Sequence, residues 1–309
     1  MKRNHEPDRR ADALAARQFA AIARRQALGV GLTAEQIKWR LETGRWLSEV
    51  RAVYTVAGAP RTWEQRAMIA VLAGPAGTVV SHLTAAAVLG VSQPPLVPHV
   101  TVSRNASGEF RNAIVHRSTL AAKDIWVVRA LPCVRPARML VDCSELLPYS
   151  ELCDLVDDAL FRPLTEAPAV FQAIERASAR PGRKGLPSLV KALEVWTPGA
   201  RPGSPAEMRM IRRCREWGLP LPERQIEVRD EDGKVVAVID FGWSGPKVGV
   251  EYDSERFHGP RRWEHDDRRD DQLRALGWRI EHADKRDFRP GATRLRGRLC
   301  VALGIRFAS

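Results

Sequence analysis

Two predicted β-strands near the C-terminus constrain the fold and chemistry of this chain more than any other feature. They cover residues 234–243 and 247–253 and are joined by a Ser-Gly-Pro turn. Side chains alternate faces along a strand, so Glu251 and Asp253 share one face, and Asp240 ends the apolar part of the partner strand. Carboxylates gathered at one end of a sheet repel one another unless a cation or basic residue offsets them. The pattern therefore predicts that the three carboxylates Asp240, Glu251 and Asp253 lie where a metal ion could bind.

The overall charge indicates an anionic partner. The chain of 309 residues contains 49 Lys and Arg against 37 Asp and Glu, a formal net charge of +12. Basic proteins attract nucleic acids through Coulomb forces and counterion release. We therefore expect DNA as the partner and a phosphodiester as the substrate of the metal site. The alternative on charge alone is a mildly basic protein without a nucleic-acid partner.

Cysteine usage and hydropathy bear on location. The five cysteines include no Cys-x-x-Cys pair, which is typical of buried free thiols in a reducing cytoplasm. The N-terminal residues lack the apolar segment of a secretory signal, and no stretch of about 18 apolar residues predicts a membrane span. We therefore expect a cytoplasmic protein with no membrane partner.

The chain divides into three predicted parts of a multi-domain α/β protein. Residues 13–58 read as helix, glycine-containing turn, second helix and hairpin, which is the order of a winged helix-turn-helix. Residues 61–178 read as a middle α/β domain. Residues 203–309 follow a Pro/Gly-rich boundary and read as α-β-β-β-α-β.

The second helix of the first part carries the predicted DNA-contacting side chains. We expect the first helix to end at Gly29, the residues before it at 1–12 to be frayed, and Thr33 to cap the second helix. The exposed helix face and the wing then offer the residues Thr33, Gln36, Lys38, Arg40 and Arg45. Such side chains can reach base edges and phosphates. The alternative is the solvated face of a helical protein-interaction domain.

Two histidines of the middle part invite a catalytic interpretation. His82 lies in a short predicted helix and His116 in a predicted strand. An isolated histidine is more often a structural residue, and no partner is spaced to support either one. Residues 132–142 are expected to link to a helix that begins at Glu145.

The third part resembles a known nuclease family. The motifs that carry the resemblance are Ser204-Pro-Ala-Glu207, Val238-Ile-Asp240-Phe, Val250-Glu251-Tyr-Asp253 with His258, Arg269-Asp-Asp-Gln-Leu273 and Gly277-Trp278. Together they resemble the very-short-patch-repair-endonuclease-like branch of the PD-(D/E)XK nuclease superfamily, over roughly residues 203–287. The resemblance implies that Asp240 and Glu251 hold Mg²⁺, that Glu207 is the helix acid, and that His258 assists the chemistry. Asp253 stands where the superfamily has a lysine that orients the water and stabilises the developing negative charge. Asp253 cannot stabilise that charge, but as a candidate catalytic residue it could ligate the metal ion or hydrogen-bond His258.

Several of these residues also have a structural interpretation. Glu207 fits a capping box with Ser204. The basic residues Arg256, Arg261 and Arg262 either position a DNA backbone or belong to a solvated loop. The charged run at 266–271 is typical of a helix with i,i+3 and i,i+4 ion pairs.

The first part carries a second resemblance, of pattern and order. Residues 18–56, followed by Ser81-His-Leu-Thr-Ala-Ala and the strand at 100–102, resemble the AbiEi-type antitoxins. That resemblance implies DNA binding, autorepression of a toxin–antitoxin operon and a toxin protein as partner.

The sequence therefore supports two main hypotheses. The first is a DNA-binding protein with a Mg²⁺-dependent endonuclease domain. The second is a non-enzymatic antitoxin or transcriptional repressor with an inactive nuclease fold. An RNA-binding protein is a third option, against which the winged helix-turn-helix pattern argues.

Overall fold

The fold is of the mixed α/β class, as predicted. The computed structural model describes residues 6–106, 112–178, 184–196, 205–252, 263–284, 286–288 and 292–305, without the side chains of residues 205 and 263–268. The described chain forms twelve α-helices and three β-sheets in two compact units, Met1–Val190 and Lys191–Ser309. None of the described helices combines the length and apolar character that crossing a membrane requires.

The first unit contains the elements from α1 to the start of α9. Its helices are α1 Glu6–Arg17, α2 Arg24–Gly29, α3 Ala34–Glu42, α4 Trp63–Ala73, α5 His82–Val88, α6 Pro136–Cys143, α7 Tyr149–Phe161, α8 Ala167–Ser178 and α9 Leu186–Leu193, which runs past the boundary. Its strands are β1 Ala21–Ala23, β2 Trp46–Val50, β3 Val53–Val56, β4 Val79–Val80, β5 His99–Val102, β6 Ile114–Arg117, β7 Ile125–Val128 and β8 Leu131–Val134.

The N-terminal part of this unit is built on a three-stranded antiparallel sheet with the order β1-β3-β2. Ala11 of α1, Ile37 of α3, and Trp46 and Tyr54 of the strands belong to one hydrophobic cluster. The predicted second helix and hairpin are confirmed, and the Thr33 side chain caps α3 by accepting a hydrogen bond from a backbone N–H of its first turn. The sheet and three helices thus share one small core.

The predicted first helix is wrong. Phe19 and Ala20 have φ values of 54° and 62°, in the left-handed region that an α-helix of L-residues cannot continue through. The single helix expected to end at Gly29 is therefore divided into α1 and α2, with β1 between them. The expectation of frayed residues at 1–12 is also wrong for the described ones, since Ala11 is fully buried in α1.

The middle part of the unit contains a mixed five-stranded sheet with the order β6-β5-β4-β8-β7. The β5–β6 and β4–β8 pairs are parallel, and the β4–β5 and β7–β8 pairs are antiparallel. The link expected at 132–142 is wrong, because these residues form the end of β8 and most of α6, with Pro136 at the helix start that suits proline. The next helix begins at Tyr149 and not at Glu145.

A buried polar network centred on Arg138 lies among these elements. Its Nε donates to Asp142 Oδ1 at 2.8 Å within α6, and its Nη2 donates to Ser118 Oγ at 3.0 Å. Asp124 lies 3.9 Å from Arg138 Nη1 and accepts a hydrogen bond from Arg176 of α8 at 2.9 Å. The network therefore ties α6 to α8, to the loop that holds Ser118 and to a short 3₁₀ turn, Ala122–Asp124.

The second unit has the predicted order α-β-β-β-α-β, followed by one more helix. Its elements are α10 Pro205–Trp217, β9 Glu223–Arg229, β10 Val235–Trp243, β11 Val248–Tyr252, α11 Trp263–Ala275, β12 Arg279–Ala283 and α12 Arg294–Ala302. The sheet order is β12-β11-β10-β9, antiparallel except for the β11–β12 pair.

Two hydrophobic clusters hold this sheet between its helices. Met210 of α10 and Leu299 of α12 pack in one cluster with Phe241 of β10. Leu273 of α11 packs in the other with Ile239 of β10. The side chain between the two strand residues is that of Asp240, so the predicted site lies where the strand passes from one cluster to the other.

Candidate functional site

The candidate site lies where β10 and β11 separate. Their ladder ends with Phe241 opposite Val250, and the same register carried one residue further places Asp240 opposite Glu251. In place of a ladder bond, Asp240 Oδ2 accepts a hydrogen bond from the Tyr252 backbone N–H at 3.0 Å. The Asp240 carboxylate is thereby fixed against the second strand.

A backbone irregularity in β9 supports Asp240 from the other side. Gln225 has a φ of 49°, which is unusual for a residue other than glycine, and it stands beside Asp240 in the β9–β10 register. Its Nε2 donates to Asp240 Oδ1 at 3.3 Å. Both carboxylate oxygens of Asp240 are therefore oriented by groups from neighbouring strands.

Glu251 is largely buried and is paired with a basic residue of α11. Its side chain is 14% exposed, and its Oε1 lies 2.5 Å from Arg269 Nη2. Arg269 also donates to the carbonyl oxygen of Val238 at 3.0 Å, so one guanidinium links both strands. Burial raises the pKa of Glu251 to about 7 and the charge of Asp240 adds to the rise, while Arg269 and His282 act to lower it.

Glu207 does not join this pair closely. It is buried in α10, and its carboxylate accepts a hydrogen bond from Arg224 Nη1 of β9 at 2.9 Å. Among the described residues, one group of three metal-ligating side chains has its ligand atoms within 4.8 Å of one another, and that group consists of histidines. The carboxylates of Glu207, Asp240 and Glu251 are therefore not all within that distance of one another. Its capping partner Ser204 lies outside the described residues.

His282 and Asp270 lie next to the pair, and neither of them was given a role in the site from the sequence. His282 stands opposite Glu251 in the parallel β11–β12 register, and its Nε2 lies 3.0 Å from Asp270 Oδ2. Arg269 and Asp270 belong to the Arg-Asp-Asp motif that carried the family resemblance. The charged helix was interpreted as a set of ion pairs within the helix, so neither side chain was predicted to point toward the sheet. The predicted residues Asp253, Arg256, His258, Arg261 and Arg262 lie outside the described residues.

The predicted DNA-contacting face of α3 is partly exposed. Thr33 and Gln36 bond each other reciprocally in a capping box, since Gln36 Oε1 accepts from the Thr33 N–H at 2.8 Å. The Lys38 side chain is 75% exposed. The guanidinium carbon of Arg45 lies 4.7 Å from the ring centre of Trp39, which is itself 46% exposed. Lys38, Trp39 and Arg45 therefore offer charge and an aromatic surface to solvent.

Arg40 is not on that face, and the prediction that it is exposed is wrong. It is 9% exposed, its guanidinium pairs with Asp8 of α1, and its Nη1 donates to the Gln36 carbonyl oxygen at 2.8 Å. The same group lies over the ring of Trp46 at 5.4 Å. Arg40 joins α1, α3 and β2, and these contacts direct it into the protein.

Comparison with known proteins adds no assignment. No protein-family model matches the chain, and the search of curated proteins gives no significant match.

Proposed function

We propose that this chain is a DNA-binding protein whose second unit carries a Mg²⁺-dependent endonuclease site on Asp240 and Glu251. The observation that carries the proposal is the position of these two acids, opposite each other where β10 and β11 separate. Burying carboxylates near one another is costly, and the pKa of Glu251, raised to about 7, reflects that cost. A bound cation would offset this electrostatic cost, whereas two neighbouring carboxylates contribute nothing favourable to folding by themselves.

The donor set fits Mg²⁺. This ion prefers hard oxygen ligands, and both side chains are carboxylates. Each carboxylate oxygen has two lone-pair directions, so the hydrogen bonds from Tyr252, Gln225 and Arg269 leave acceptor capacity on Asp240 and Glu251. When bound, Mg²⁺ supplies charge neutralisation at the phosphoryl oxygens and a more acidic water.

The neighbouring residues have distinct tasks in this proposal. The Tyr252 N–H and Gln225 orient Asp240, and Arg269 holds Glu251 in place. The positive charge of Arg269 is also suited to balancing charge that develops on a phosphate. The proton transfer that the family resemblance implies would fall to His258.

The first unit would deliver the protein to DNA. The exposed charge of Lys38 and the Arg45–Trp39 pair suit contact with phosphates and groove surfaces. The arrangement of α2, α3 and the β2–β3 hairpin supports the winged helix-turn-helix interpretation of this part.

A second candidate is the non-enzymatic repressor, in which the nuclease-like unit grips DNA or a toxin partner. The Arg269–Glu251 contact favours it, because that guanidinium already offsets the Glu251 charge without a metal ion. This candidate predicts operator binding that needs no Mg²⁺ and does not depend on Asp240.

Calorimetric titration of Mg²⁺ with plasmid nicking on the same samples separates the two candidates. Asp240→Asn removes the charge while keeping the shape of the side chain, and Glu227→Gln is the matched control, because Glu227 is an exposed carboxylate of the same sheet. We expect wild type and Glu227→Gln to bind Mg²⁺ and nick DNA, and Asp240→Asn to do neither. Nicking that survives Asp240→Asn overturns the site, and a wild type that neither binds Mg²⁺ nor nicks supports the repressor.

A further inference from the structure

Three histidines that are far apart in sequence meet at one end of the five-stranded sheet. His82 is the first residue of α5, His99 is the first residue of β5, and His116 lies in β6. Their ring nitrogens lie within 4.8 Å of one another, and no other such group of three occurs among the described residues. The cluster belongs to the first unit, whereas Asp240 and Glu251 belong to the second.

The pairing of the strands explains the meeting. His116 stands opposite Thr101 on the parallel neighbour β5, and His99 precedes Thr101 by two residues, so both rings point to the same face. His99 Nδ1 consequently lies 3.0 Å from His116 Nε2. The backbone N–H of Ser81 donates to the His99 carbonyl oxygen at 3.1 Å, which brings His82 to the same place.

The three rings are largely shielded from solvent. His82 and His99 are only 4% and 6% exposed, and His116 is half-buried. Imidazole coordinates a metal ion through a ring nitrogen that carries no proton, and each of the three rings offers one nitrogen to the cluster.

Neighbouring hydroxyl groups orient His82. Its Nδ1 lies 2.9 Å from Ser81 Oγ, which in turn accepts a hydrogen bond from Thr101 Oγ1 at 2.7 Å. Histidines that bind metals commonly donate one ring N–H to such an oxygen, which fixes the orientation of the ring. His82 also has a φ of 50°, a strained conformation for a residue with a Cβ, and strain of this kind concentrates at functional sites.

We propose that His82, His99 and His116 together bind one borderline transition-metal ion of the Zn²⁺ class. Imidazole donors suit Zn²⁺, Cu²⁺ and Ni²⁺ and not Mg²⁺, and three of them leave a fourth position for water or another ligand. The half-buried His116 gives the ion a route from solvent. This site is chemically distinct from the carboxylate site, which offers only oxygen donors.

The rings must turn to complete the coordination. His82 stacks on His116 with ring centres 3.5 Å apart and 19° between planes, and the lone pairs of parallel rings do not converge. Rotation about the Cβ–Cγ bond, whose energy profile is broad for histidine, redirects them without moving the backbone. The ion replaces the His99–His116 hydrogen bond and connects α5, β5 and β6.

Zn²⁺ titration of the full chain, without an affinity tag and after removal of metals by a chelator, tests the proposal. We expect one Zn²⁺ per chain in calorimetry, and a four-coordinate visible spectrum when Co²⁺ is used instead. His116→Ala should weaken Zn²⁺ binding by more than about 100-fold, beyond the range usual for residues that only orient a ligand. Ser81→Ala should weaken it by about 10-fold, because it only removes the orienting oxygen of His82.

His265→Gln is the matched control, because it removes a histidine from α11 of the other unit and should leave the affinity unchanged. Circular dichroism checks that each variant is folded. His116 is the most exposed of the three, so its replacement disturbs the fold least. If His116→Ala does not fold, the Co²⁺ spectrum of wild type tests the four-coordinate site instead. Absence of Zn²⁺ binding in wild type, a six-coordinate Co²⁺ spectrum, or unchanged affinity in folded His116→Ala overturns the proposal and leaves a hydrogen-bonded histidine cluster.

Discussion

Lys38 and Arg40 are two residues apart on α3, yet one is exposed and the other is buried. Lys38 is 75% exposed and pairs with the exposed Glu42 at 3.6 Å. Arg40 is buried, paired with Asp8 and stacked over Trp46. Replacing each by methionine, which keeps the length of the apolar stem, separates binding from folding.

The expected loss of stability follows from these contacts. Arg40→Met removes a charged hydrogen bond, worth about 1.5–3 kcal/mol, of which we take the lower half because Asp8 remains one-third exposed and can hydrate. The lost contact with Trp46 adds about 0.5–1 kcal/mol. The sum of about 2–3 kcal/mol corresponds to a fall in Tm of about 4–12 °C for a unit of this size. Lys38→Met removes an exposed pair worth about 0.3–0.5 kcal/mol, so its Tm should change little.

Thermal unfolding and DNA-binding titrations in a salt series measure the two effects. Lys38→Met should lower the slope of log K against log salt by about 0.9, the value for one lost phosphate contact. Arg40→Met, measured well below its Tm, should bind DNA with the slope and affinity of wild type. An Arg40→Met protein with unchanged Tm and weakened DNA binding would refute this reasoning.

Three other perturbations test the packing. Gly297→Ala should raise the free energy of unfolding by about 0.5–1 kcal/mol in urea denaturation, since Gly297 lies in α12 with open space for a Cβ; a lowered midpoint contradicts this. Arg138→Met should cost about 3–5 kcal/mol because it breaks the buried Arg138–Asp142 ion pair, whereas the exposed Arg229→Met should cost less than about 1 kcal/mol; equal losses count against the buried network. Burial raises the pKa of Cys214 to about 12, so iodoacetamide at about pH 8 should label this thiol only on unfolding, as mass spectrometry would show.

Local signals were sufficient for much of the second unit. The strand alternation around Asp240, the turn after Trp243 and the left-handed Gly277 at the end of α11 each act within a few residues. The order of elements and the opposition of Asp240 and Glu251 follow from them. The partnership of Glu251 with Arg269 does not, because the two residues are 18 positions apart and the same helix face offers several ion pairs.

The burial of Arg40 and the break between α1 and α2 could not be predicted from local sequence patterns. Arg40 looked like an exposed helix residue, but its partner Asp8 lies 32 residues away. The division between α1 and α2 falls at Phe19 and Ala20, which carry no local signal for a left-handed conformation. In α6, by contrast, Pro136 was a helix-start signal that we interpreted as part of a linker.

Arg269 connects the two candidate functions through one measurable consequence. Arg269→Gln removes the main positive charge beside two partly buried acids, so both functions predict a less stable second unit, by about 1.5–3 kcal/mol at most since Arg269 is one-third exposed. Only a cation site predicts that Mg²⁺ reverses the loss. A ligand that binds the folded state alone stabilises it by about 2.7 kcal/mol at 100 times its Kd, enough to offset the missing guanidinium. If the Tm of Arg269→Gln rises with Mg²⁺, and no longer rises when Asp240→Asn is added, then Arg269 occupies the place of the metal ion's charge in the metal-free protein. If the Tm does not change with Mg²⁺, then the Arg269–Glu251 ion pair alone balances the charge of the site and no metal ion binds there.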